Sequence, residues 1–155
     1  MIYNIIGPPG SGKSTYIRNR FGFSPPMQTI DDRLVEEFSK RKVFEHTGIN
    51  ARINQYLDSA EDEITTIWFQ TSKSVCLYRI LKDFFTRKAS MIQTHHRIII
   101  LCYYYRNVHE INPVVGGAKN KLVIIRGRNR AFDFISQKIL RRKNRPKSQN
   151  DDLFH

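Results

Sequence analysis

The sequence predicts a three-layer α/β domain in which a mostly parallel sheet is covered by helices on both faces, and three observations predict it. An apolar run over residues 1–6 leads directly into the segment Gly7-Pro8-Pro9-Gly10-Ser11-Gly12-Lys13-Ser14-Thr15, and a helical pattern follows it. Further runs rich in β-branched and aromatic residues recur at 64–69, 97–105 and 121–125, with helically spaced apolar residues between them. Strands buried on both faces read as continuous apolar runs, and their alternation with helices is the pattern of parallel crossover units. At 155 residues the chain has room for one domain with a real core.

Taken in order, residues 1–6 read as the first strand, and a helix runs from near Ser14 through Arg20. Phe23-Ser24-Pro25-Pro26 breaks it, and residues 27–30 make a short candidate strand ending at Asp31-Asp32-Arg33. Leu34, Val35 and Phe38, continued by Val43 and Phe44, suggest a helix through about Glu45, and residues 49–60 suggest another. Residues 64–69 lack charge and read as a central strand; Val75, Leu77, Tyr78, Leu81, Phe84 and Phe85 then recur at helical spacing. Residues 97–105 carry the strongest strand pattern in the chain, closed by Arg106. A loop with Pro113 and Gly116-Gly117 precedes a last strand at 121–125 and a last helix at 131–142. The domain is therefore expected over residues 1–143, and residues 144–155 are expected to form a disordered basic tail.

The net charge of +12 is unevenly placed. Residues 1–63 hold eight basic and nine acidic groups, residues 64–118 seven and two, and residues 119–155 eleven and three. Such asymmetry points to a polyanionic partner drawn in by counterion release, with nucleic acid foremost, or to a basic extension that keeps the protein soluble. Cys76 and Cys102 lack metal-ligand spacing and sit in apolar stretches, so both are expected to be buried thiols. The longest apolar run, residues 98–105, is far short of a membrane span, and with Met1 next to the first strand no signal peptide is expected. These features predict a protein without membrane contact in a reduced, cytoplasmic setting, of its own cell or of an infected host.

The glycine-rich segment carries the chemistry. Its backbone N–H groups must turn inward around a polyphosphate, which larger side chains at the glycine positions would obstruct. Lys13 reaches the β- and γ-phosphates of a nucleoside triphosphate, the Ser14 hydroxyl ligates Mg²⁺, and the helix behind them aims its N-terminal dipole at the same anion. Gly7 to Thr15 are thus the candidate nucleotide-binding residues. Asp31-Asp32 stands at the expected end of the second strand, on the same sheet edge. A carboxylate there accepts the proton of an attacking hydroxyl or holds Mg²⁺, or it merely caps the next helix. Asp32 is the candidate metal residue with Ser14.

These residues, with the strand-to-helix junction Phe69-Gln70-Thr71-Ser72 and the later Arg79, give the chain a resemblance to small P-loop kinases, most closely to bacteriophage-type polynucleotide kinases and the zeta-toxin group. The resemblance covers about the first hundred residues and implies an adenylate-kinase-like P-loop NTPase fold using ATP and Mg²⁺. In those families an aspartate after the second strand is the general base, which points to Asp31 or Asp32. An arginine usually follows about three positions later and holds the acceptor phosphate; here Leu34 and Val35 occupy that place and Arg33 is adjacent. Neither 64–69 nor 97–105 ends in the aspartate of a Walker B strand; Gln70 and Thr71 stand at the former end. Either Asp31 or Asp32 does the metal work or hydrolysis is weakened. This absence disfavours AAA+ and helicase readings, and Asn120-Lys121-Leu122-Val123 lacks the aspartate that reads guanine in GTPases.

Phosphoryl transfer also needs positive charge around the migrating group, often from arginines on a mobile lid. Arg126 and Arg128 are the first candidates, with Arg106 and Arg130 beside them, and residues 107–119 a possible short lid. The expected activity is transfer of the γ-phosphate of ATP to a nucleotide or a nucleic-acid 5′ end. The alternatives are a nucleic-acid-associated ATPase with no phosphorylated product and a binding module that holds nucleotide only. The ending Gln149-Asn150-Asp151-Asp152-Leu153-Phe154 faintly resembles peptides that dock on sliding clamps.

Overall fold

A computed structural model describes residues 1–24, 40 and 42–126. The chain runs β1 (Ile2–Ile6), α1 (Lys13–Phe21), β2 (Val43–His46), α2 (Ala51–Ser59), β3 (Ile64–Gln70), α3 (Lys73–Phe85), α4 (Met91–Arg106) and β4 (Asn120–Arg126). The strands form one parallel sheet in the order β2-β1-β3-β4. The α/β class with a parallel sheet is as expected. The candidate strand at 27–30, the helix at 131–142, the tail, Asp31, Asp32, Arg33, Arg128 and Arg130 lie outside the described residues.

Two apolar layers sandwich the sheet. On one face, Ile17 of α1 packs on Ile5, Val43, Ile67 and Phe69. On the other, Ile53 and Leu57 of α2 pack on Ile2, Phe44 and Ile64, and Tyr104 of α4 meets Ile6. Full burial of each such aliphatic side chain contributes about 1.5–3 kcal/mol, and together these contacts fix α1 and α2 on opposite sides.

Two element assignments differ from the sequence expectation. Residues 43–45 end no helix; they lie in β2, where Tyr3 to Ile6 of β1 pair with Val43 to His46 and all four β2 residues are buried. Four residues, of which only Val43 and Phe44 are apolar, are too few for periodicity to separate strand from helix, so pairing with β1 decides. Residues 97–105 are not a strand but most of the sixteen-residue α4. Its start is fixed by a capping box in which the Ser90 hydroxyl accepts from Gln93 N while the Gln93 side chain accepts from Ser90 N. Thr94, Leu101 and Tyr104 are buried at helical spacing, and Leu101 packs on Cys76 and Ile80 of α3, which overrides the β propensity of the isoleucine run.

Corrections follow from that helix. Cys102 is exposed on the outer side of α4, so only Cys76 is a buried thiol. Arg106 is the exposed last residue of α4 rather than the end of a strand. Residues 107–119 form no free lid. They are strapped across the α2 side of the sheet by buried Ile111 and Val115, and Gly116 N donates to Asp58 Oδ1 at 2.8 Å.

Candidate nucleotide site

β1 ends at Ile6 and α1 begins at Lys13, so the intervening turn sits at the carboxyl edge of a parallel sheet, where ligands of such sheets bind. The turn is forced by its neighbours. Gly7 has φ 147°, and a Cβ there would stand 2.8 Å from Phe69 O; Gly10 has φ 77°, and a Cβ would stand 2.7 Å from Cys76 O. Only glycine fits where the loop presses on the end of β3 and the start of α3. Arg79 of α3 adds a clamp, donating from one guanidinium nitrogen to Gly10 O at 3.1 Å and Ser11 O at 3.2 Å. These carbonyls are thereby tied outward, toward α3. The first turn of α1 has no side-chain cap on its N–H groups, which suits an anion there.

Lys13 is buried, and its ammonium donates to Gly7 O at 2.8 Å and Pro8 O at 2.9 Å across the mouth of the loop. Burial lowers its pKa to about 8, an effect partly offset by the nearby negative charge of Glu45. A bound polyphosphate supplies the counter-charge that burial denies it.

The carboxylate missing from the sequence reading is Glu45. On β2 it lies opposite Ile5 of β1, and the Ser14 hydroxyl donates to its Oε1 at 3.0 Å. Glu45 is 8% exposed while Ser14 is at the surface, so the pair spans the boundary of the site. A hydroxyl joined to a carboxylate beside a phosphate loop is a hard-oxygen donor set of the kind Mg²⁺ takes. The sequence reading missed Glu45 because it placed residues 43–45 in a helix. A β reading of Val43-Phe44 was the available signal.

The other candidates are dispersed. Arg126 ends β4 opposite Gln70, exposed at the same sheet edge but beyond β3 from the loop. Gln70 and Thr71 end β3 without a carboxylate, and the Thr71 hydroxyl and the Ser11 hydroxyl are buried without a hydrogen-bond partner. Tyr105 of α4 donates its hydroxyl to Thr71 O, fixing this strand end to the helix. Among the described residues no helix is long and apolar enough to cross a membrane, and no cluster of three or more His, Cys, Asp or Glu residues has metal-site geometry.

No family model matches the chain, and no curated protein matches its sequence. Among solved structures, the deoxyadenosine kinase from M. mycoides with bound dCTP is similar over 91% of this chain and 100% of that chain, at 13% identity and a TM-score of 0.36. That likeness assigns no residue a role; the assignments rest on the geometry above.

Proposed function

We propose that the protein is an ATP-dependent phosphotransferase that passes the γ-phosphate to a nucleotide or to a nucleic-acid 5′ end. The observation that carries this reading is the joining of Lys13, the glycine loop and the Ser14–Glu45 pair at one sheet edge. The loop N–H groups and Lys13 hold the phosphates, and Lys13 neutralises charge that grows on the transferring group. Mg²⁺, when held at Ser14 with Glu45 behind it, supplies screening of the β- and γ-phosphate charge. Arg79 keeps the loop in its binding conformation.

With Glu45 on the metal side, Asp31 and Asp32 are released for the proton of the attacking hydroxyl, the role implied by the resemblance to polynucleotide kinases. Arg126, the last residue of β4, and Arg128, two positions later in the sequence, are proposed to steady the migrating phosphoryl group. The basic run of residues 119–147 orients a polyanionic acceptor.

The test is a screen of γ-labelled ATP against nucleosides, mononucleotides and 5′-hydroxyl DNA and RNA. Label appearing in one acceptor class supports the reading and names the acceptor. Label released only as inorganic phosphate, with nucleic acid stimulating its release, replaces the reading with that of an ATPase.

A further inference from the structure

The turn that joins α3 to α4 is used by nothing described so far. Thirteen residues of α3, at 1.5 Å per residue, carry it about 20 Å from the helix end beside the phosphate loop. Phe85 is 77% exposed there, and Met91 and Ile92 in the first turn of α4 are 73% and 82% exposed. Large apolar side chains so bare, flanking one turn, contribute nothing to the core, and they mark a contact surface.

Charge singles out the partner. Lys82, Arg87 and Lys88 are exposed around these side chains, without an ion-pair partner among the described residues. The one acidic residue of the two helices and their turn, Asp83, is already bound by Arg97 at 3.0 Å. The turn is also held in shape: Arg87 N donates to Phe84 O at 2.9 Å, Lys88 N donates to Asp83 O at 2.8 Å, and the Ser90–Gln93 capping box fixes the far side. Phe84 and Phe85, whose rings meet edge-on at 5.5 Å between centroids, line an open concavity with Arg87, Lys88 and Gln93.

We infer that this tip docks a single-stranded nucleic acid, with a base stacked on Phe85 and backbone phosphates on Lys82, Arg87 and Lys88. An aromatic face set beside uncompensated cations matches a chain in which bases alternate with phosphates. The inference rests on the proposed phosphotransfer for placing a polynucleotide rather than another polyanion on this surface.

The experiment uses the full chain and measures binding of labelled single-stranded DNA and RNA oligonucleotides across a salt series, with melting curves to confirm folding. Arg87→Glu/Lys88→Glu is expected to flatten the slope of log K against log salt by about 0.7 for each phosphate that the tip no longer neutralises. Phe85→Ser is expected to weaken binding about 5- to 150-fold, the worth of one base stack, with the slope unchanged. Label transfer to a mononucleotide stays at the wild-type level in both variants. The residues after β4 are present throughout, so the differences belong to the tip. Absence of label in every acceptor, with these binding differences intact, removes the phosphotransfer reading and leaves the docking surface standing. Folded variants that bind oligonucleotides like the wild type overturn the inference, as does wild-type attachment to phosphatidylserine vesicles that both variants lose while oligonucleotide binding is kept. Loss of a wild-type dimer in Phe85→Ser with unchanged oligonucleotide binding overturns it in favour of self-association.

Discussion

Glu45 and His46 are neighbours on β2, yet they belong to two polar regions built on opposite plans. On the α1 face, Glu45 meets the Ser14 hydroxyl beside buried Lys13, and the Ser11 hydroxyl of the same loop is buried without a partner. On the α2 face, polar side chains of the strands are joined by hydrogen bonds across the whole sheet, while Asn54 Oδ1 of α2 is buried without a partner. Gly48 N donates to His46 Nδ1 at 3.2 Å, which leaves Nε2 to carry the proton and donate to Asn4 Oδ1 at 2.8 Å. Asn4 Nδ2 and Asn120 Nδ2 both donate to Thr66 Oγ1, at 3.2 and 2.7 Å. One side chain from each strand takes part. A closed chain of this kind pins strand register, because a shift would leave buried donors without acceptors; an open region is one whose remaining valences a ligand completes.

The largest effect that tests this contrast belongs to Lys13. Lys13→Ala is expected to lower turnover by about 10²-fold or more while circular dichroism reports an intact fold. Wild-type turnover in the folded variant would remove the open region's claim to be a catalytic site.

Glu45→Gln keeps the shape of the side chain and its ability to accept from Ser14 but removes the charge. Mg²⁺ titrations of turnover should then show about a 10- to 100-fold loss in metal affinity or rate, with ATP binding kept. An unchanged Mg²⁺ requirement would return the metal role to Asp31 or Asp32, where Asp→Asn exchange can be scored in the same assay.

The closed region predicts the reverse pattern. Asn4→Leu leaves the buried His46 Nε2 donor without its acceptor and takes one donor from Thr66 Oγ1, and is expected to cost about 1–3 kcal/mol in denaturant unfolding, with turnover at saturating ATP unchanged. A loss of activity out of proportion to stability would show that the two faces are coupled.

The last effect is a pH dependence. Burial, and then the charge of Lys13, hold the His46 pKa at about 3, well below its usual 6.5. The unfolded chain therefore binds a proton between those values that the folded chain refuses, and stability falls as pH drops through this window. At pH 6 to 5 the loss from this one group approaches about 1.4 kcal/mol per pH unit, and His46→Gln should flatten it. An equally steep profile in the variant would move the effect to another group.

Legibility in the sequence tracked the range of the interactions. The phosphate loop, β1, α1, β3 and α3 were readable because glycine placement and apolar spacing act within a few residues. α4 was written in the sequence too, in the Ser90-x-x-Gln93 capping box, but the isoleucine run after it matched a strand more loudly. Cys102 and Arg106 were misplaced along with it. β2 carried no local signal strong enough: Val43 and Phe44 suit either structure until β1 is laid beside them. The turn at Arg87 and Lys88 drew no reading, since nothing local says how far a turn will stand from the site.

The sequence alone determined that an anion-holding loop follows the first strand, because nine consecutive residues contain the glycines, the lysine and the serine that such a loop requires. It also determined the excess of positive charge, which is a matter of counting. Only the tertiary structure decided which carboxylate serves the loop. Ser14 and Glu45 are separated by 31 positions, and no pattern in the intervening residues links them. Parallel pairing of β2 with β1, with Glu45 set opposite Ile5, turns the acid toward α1 and its neighbour His46 away, and a slip of one residue would exchange them.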